Sequence, residues 1–279
     1  MKYTFSFLFF LLALNSCKIN EKISSPNTKI EEKYTAFGNF KVNQTVIKDS
    51  KNNSYKVYYP SQMSGKSPVI TWGNGTGQTP DTYVRTFNHL ASWGFIVIDN
   101  YEKSTIDGSS ILESARVLVR ENSNPRSLFY QKVDIEHIGA SGHSQGAGGV
   151  VNAYKNFSDG KIIKTIVPLA FPSILKPTGT NVMVPIFFIS GEKDNLFSSL
   201  SYNKQSFEQV PSPTPAAVGA RRGAFHELLT NEDLVIGYLT AWMRYQLMGD
   251  QQAAGAFRGS TPELSVNPNW SNVSTKNIR

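Results

Sequence analysis

Between residues 34 and 249 the chain alternates short apolar runs with polar, glycine-rich breaks, and the runs switch between two periods. Residues 40–47 and 54–59 carry the two-residue alternation of half-buried strands, the second stopping at Pro60. Residues 69–72, 94–98, 135–140, 162–170 and 185–190 are continuous apolar stretches of strand length, as expected for strands covered on both faces. Helical spacing fills the gaps. Pro80 and Asp81 suit a helix N-terminus, opening a helix over 79–93. Ile111, Leu112, Ala115, Leu118 and Val119 predict a helix over 109–122; further helices are expected over 199–209 and 233–248. Strand and helix in alternation predict an α/β fold with a mostly parallel central sheet and helices on both faces.

The ends read differently. Lys2 followed by an apolar run from Phe5 to Leu14 has the form of a secretory signal and is too short to span a membrane. Leu14-Asn15-Ser16-Cys17 resembles a bacterial lipobox, so residues 1–17 are read as a signal with Cys17 as the lipidation site. Residues 18–33 are polar and are expected to be a flexible tether. The folded domain is placed at 34–249, with 250–279 a polar tail in which Phe257 and Trp270 could dock.

Composition adds limits. A 279-residue chain with 40% hydrophobic and 18% charged residues is globular rather than disordered. The net charge of +7 is spread without a Lys/Arg-rich run, so nucleic acid is not an expected partner. Cys17 is the sole cysteine, which excludes a disulfide and a cysteine nucleophile inside the domain.

The chemistry is concentrated at residues 133–149, where an apolar strand runs into Gly142-His143-Ser144-Gln145-Gly146 and a small-residue helix start. A strand, Gly-x-Ser-x-Gly and a helix form the context of a nucleophile elbow, which projects a serine Oγ from a sharp turn. Of four histidines only His226 follows Ser144, on a loop before the last long helix, where a general base belongs. The acid should follow a late strand; Asp194 is the choice and Glu192 the alternative. Two amide donors are needed for an oxyanion. Gln145 supplies one, and the loop Gly73-Asn74-Gly75-Thr76-Gly77 the other, through Thr76 or, next, Gly75. Trp72 and Phe171, with Ile174 and Leu196, are candidate walls of a substrate cleft. Residues 171–183 leave no room for a large lid.

Four segments carry a resemblance: residues 93–99 (WGFIVID), 142–149 (GHSQGAGG), 192–194 (EKD) and 241–243 (AWM). They look like the bacterial cutinase-like polyester hydrolases and their dienelactone-hydrolase-like relatives, over roughly residues 34–249. The resemblance implies the α/β-hydrolase fold, places Ser144, Asp194 and His226 at the catalytic positions, and puts Gln145 and Thr76 near the oxyanion donors. The chain departs from that family in Gln145, where Met is usual. Thr76 stands where Phe or Tyr is usual, and Phe171 is nearest to a usual Trp. The C-terminal disulfide of many members is absent. The resulting expectation is an exported, membrane-anchored or secreted serine esterase. It would act as a monomer on small or polymeric esters, with no metal or cofactor implied. An amidase or acyltransferase on the same triad, or a non-catalytic binding module, are the alternatives.

Overall fold

The computed structural model describes residues 28–278 except 177, 178, 180 and 230–233; the signal and Cys17 assignments lie outside the described residues. Its elements run α1 (Lys29–Thr35), β1 (Val42–Lys48), β2 (Ser54–Pro60), β3 (Ser67–Gly73), α2 (Val84–Ser92), β4 (Ile96–Asn100), α3 (Ser109–Ser123) and β5 (Val133–His143). Then follow α4 (Gln145–Lys155), β6 (Ile163–Leu169), β7 (Ile186–Gly191), α5 (Leu200–Glu208), β8 (Ala216–Arg221), α6 (Ile236–Met248), α7 (Gln251–Ala254), α8 (Glu263–Val266) and β9 (Trp270–Lys276).

The strands form one sheet in the order β1-β2-β4-β3-β5-β6-β7-β8-β9. From β4 to β8 all neighbours are parallel; the pairs β1–β2, β2–β4 and β8–β9 are antiparallel. This is an α/β-hydrolase fold. Every residue of β4 and β7 is buried, because helices cover both faces of the parallel centre. Phe187 and Phe188 show the alternation. Phe187 packs with Trp242 of α6 and Phe257, whereas Phe188 joins the core beneath α4 and α5. Helices α1, α2 and α6 therefore share one face, and α3, α4 and α5 the other.

The edges depart from the expected boundaries. The tether was expected to reach residue 33, yet α1 begins at Lys29 and buries Glu31 and Tyr34. The tail beyond 249 is part of the domain, since β9 completes the sheet against β8 and Phe257 and Trp270 are buried. Glu31 explains both: its carboxylate accepts from Trp270 Nε1 at 2.7 Å and Asn267 Nδ2 at 2.7 Å. Glu263 of α8 returns the contact by accepting the N–H groups of Ile30 and Glu31 at 2.7 and 2.8 Å. The helix expected over 79–93 is split into a 3₁₀ turn at Pro80–Thr82 and α2.

Candidate active site

Strand β5 ends at His143 and helix α4 starts at Gln145, leaving Ser144 as the whole turn. Ser144 is held at φ 55° and ψ −122°, a conformation L-residues rarely adopt. Its neighbours make the turn sterically feasible. A Cβ on Gly142 would come within 2.6 Å of the Gly146 carbonyl oxygen, and one on Gly146 would overlap the Gly73 carbonyl. Ser144 N–H donates to the Leu169 carbonyl at 2.9 Å, fastening the turn to the end of β6.

Two loops bring partners to this serine. His226, on the loop after β8, has Nε2 2.9 Å from Ser144 Oγ and Nδ1 2.5 Å from Asp194 Oδ2. Asp194, after β7, is 2% exposed and His226 18%. The other carboxylate oxygen of Asp194 accepts the N–H groups of Phe197 and Ser198 at 3.1 and 3.2 Å. Burial pushes the Asp194 pKa up. The bond and charge of His226 and the two amides outweigh burial and hold it below the ordinary carboxylate value. The group is thus an anion able to fix one imidazole tautomer, with the proton on Nδ1 and a lone pair on Nε2 facing the serine. Glu192, the alternative acid, faces away and braces the same loop, accepting Gly223 N–H at 2.9 Å and Arg222 Nη1 at 3.3 Å.

The Gln145 N–H opens α4, where the helix gives it no acceptor. Opposite lies the loop after β3. Its Gly75 carbonyl accepts Gln78 N–H at 3.0 Å. In a trans peptide the N–H points opposite to its C=O, so the Thr76 N–H is turned away from Gln78. That N–H makes no hydrogen bond among the described residues. Gly75 drops out as a donor because its N–H is spent on the Tyr83 hydroxyl at 3.1 Å. The Lys103 carbonyl joins this loop to the elbow, accepting Gly77 N–H at 3.3 Å and Gln145 Nε2 at 2.6 Å.

Trp72 and Phe171 do not line the cleft. Trp72 is fully buried against Tyr83 and Phe87, and Phe171 is buried against Phe188, because both lie within the two-sided core. The exposed apolar groups nearby are Ile174 and Leu196, at 92% and 79% exposure, with Phe197 and Phe225. The Phe197 ring lies 5.0 Å from that of His226, and Phe225 precedes His226 in the chain. Neither phenylalanine stands out in the sequence, although both are next to triad loops. Among the described residues of 170–185, the link from β6 to β7, there is no helix or strand to form a lid.

A family model described as "PETase: PET hydrolase-like" matches residues 22–273. The chain belongs to the PET hydrolase-like family. The chain is also similar to the bis(hydroxyethyl) terephthalate hydrolase of Streptomyces coelicolor, which is 23% identical over 190 residues, covering 67% of this chain. The chain spans 60% of that relative's length. The match to this PET hydrolase-like group accords with the resemblance read from the elbow and triad segments, and with the sheet described above.

Proposed function

We propose that the protein is an exported serine hydrolase of carboxylic esters, acting on short-chain esters or on ester bonds within a polyester. The observation that carries this reading is the continuous Ser144–His226–Asp194 hydrogen-bonded line at a nucleophile elbow. Ser144 Oγ attacks the ester carbonyl as His226 Nε2 takes its proton. The Gln145 and Thr76 amides receive the oxyanion. Collapse of the tetrahedral intermediate expels the alkoxide, to which His226 returns the proton, and leaves an acyl-Ser144. Water, deprotonated by His226, repeats the sequence and frees the acid. Ile174, Leu196, Phe197 and Phe225 give the acyl or aryl part an apolar rim. The relative's name supports small terephthalate diesters as one substrate class. Export and anchorage through Cys17 rest on the N-terminal sequence alone.

The test is hydrolysis of p-nitrophenyl esters from two to sixteen acyl carbons. Turnover that disappears in Ser144→Ala is the expected result, together with fluorophosphonate labelling of the wild type only. Failure of both turnover and labelling would overturn the proposal. Labelling with faster cleavage of amides than of matched esters would move it to amidase chemistry.

A further inference from the structure

The oxyanion loop and the His226 loop meet through two buried side chains to which the mechanism assigns no part. His143 Nε2 lies 3.0 Å from the His226 carbonyl oxygen, which also accepts Leu228 N–H at 3.0 Å. A carbonyl only accepts, so His143 carries its proton on Nε2. Burial lowers the affinity of this ring for a second proton, the ring staying neutral even though the His226 carbonyl works in the opposite direction. Its Nδ1 is therefore a bare acceptor.

Facing that nitrogen at 3.3 Å is the Tyr83 hydroxyl. Burial raises the Tyr83 pKa and keeps it a phenol with one proton to give. Its oxygen already receives Gly75 N–H, and in the structure its proton goes to Gln78 Oε1. That amide can take the phenol proton on Oε1 or, turned over, donate through Nε2. Only the second arrangement satisfies His143 Nδ1.

We propose that Tyr83 and His143 are positioning residues. With the Gln78 amide turned over, they form a one-way hydrogen-bond chain, from Gly75 N–H through the Tyr83 hydroxyl and the His143 ring to the His226 carbonyl. This chain sets the oxyanion loop and the general base in one geometry. The proposal rests on the ester-hydrolase reading of the same site. Its logic is local. Gly75 N–H and C=O are both tied, to Tyr83 and Gln78, and between them they orient the peptide that presents Thr76 N–H. His143 fixes the backbone of the residue that must hold Nε2 against Ser144. Neither side chain touches substrate; both act through others.

Tyr83→Phe keeps the ring and removes the hydroxyl. Displacement of donor and base by a fraction of an ångström is expected to lower kcat about 10- to 100-fold, with KM for p-nitrophenyl butyrate within about twofold. His143→Gln keeps a donor toward the His226 carbonyl but offers nothing at the Nδ1 position. If the chain acts as a unit, the double variant loses no more than Tyr83→Phe alone. Losses that multiply, or a Tyr83→Phe kcat within twofold of wild type, would overturn the proposal.

A measurement on the unaltered protein guards against misfolded variants. Nitrogen-15 imidazole spectra of its four histidines should include a buried ring protonated on Nε2 with an unprotonated Nδ1, told apart from buried His89, whose Nε2 faces the Tyr34 carbonyl at 2.9 Å, by its loss in His143→Gln. An Nδ1-protonated His143 would overturn the chain whatever the variants do. An inactive, unlabelled wild type would overturn the hydrolase reading and this one with it. An active wild type with multiplicative losses overturns the chain alone.

Discussion

At the scale of single residues, two carboxyl groups in this protein do opposite things. Asp194 is an anion because the His226 bond and two loop amides outweigh its burial. Asp194→Asn should leave the fold intact but favour the wrong imidazole tautomer, cutting kcat by about 10⁴ at similar thermal stability. A steady-state assay beside a melting curve checks both halves. Asp99, at the end of β4 beneath the oxyanion loop, is fully buried. Its Oδ1 accepts Asn100 N–H at 2.7 Å and Asn74 Nδ2 at 3.2 Å, while Oδ2 has no partner among the described residues. Burial drives its pKa well above the ordinary value. The folded state thus holds a proton that the unfolded chain gives up near pH ~3.9. Stability present below that pH is lost as pH rises toward the folded pKa. Asp99→Asn cannot ionise, so melting curves at pH 4 and pH 8 should show it gaining on wild type by at least about 1 kcal/mol at the higher pH. Equal pH dependence in the two proteins would count against a protonated Asp99. The meeting of Ser144, His226 and Asp194 was legible at this scale because Ser144 sits in a spaced motif and one histidine follows it. Trp72 was misread because β3 is buried on both faces, so no alternation marks which side chains reach the cleft.

At the scale of elements, the strands from β1 to β7 were readable, while α1, β8 and β9 were not. β7 announces itself as Ile-Phe-Phe-Ile; β8 is Ala-Ala-Val-Gly-Ala-Arg, too short of β-branched residues to stand out. In β9 only Trp270 is buried, so its sequence looks like a polar tail. Helix α1 hides its reason for existing, which is a carboxylate whose partners lie more than two hundred residues away. Removing that carboxylate should cost more than any one helix residue would suggest. Glu31→Ala strands the Trp270 and Asn267 donors and leaves Arg221, 3.4 Å away, without its anion. A loss of about 3 kcal/mol is expected, read as a lower denaturation midpoint with an unchanged slope. A midpoint matching wild type would mean the α1 latch contributes nothing.

For the whole molecule, the fold places Ser144, Asp194 and His226 after β5, β7 and β8, at the carboxyl ends of three parallel strands. The sequence order of strand and helix carried that much, since parallel neighbours require crossovers and crossovers cover the sheet. It did not carry the contacts between loops, such as Lys103 bridging Gly77 and Gln145, because backbone carbonyls leave no signature in residue identity. Among its described residues the link between β6 and β7 has no helix or strand, and for the proposed ester hydrolysis this has a consequence for how a long substrate would be cut. A site without a roof can grip a strand anywhere along its length, whereas a tunnel or capped pocket must start from an end. On an aliphatic polyester the protein should therefore act as an internal scissor. Size-exclusion chromatography of a partial digest is expected to show average molar mass falling steeply before much soluble monomer is released. Steady shedding of monomer from chains of constant length would instead mean that the ends are being read.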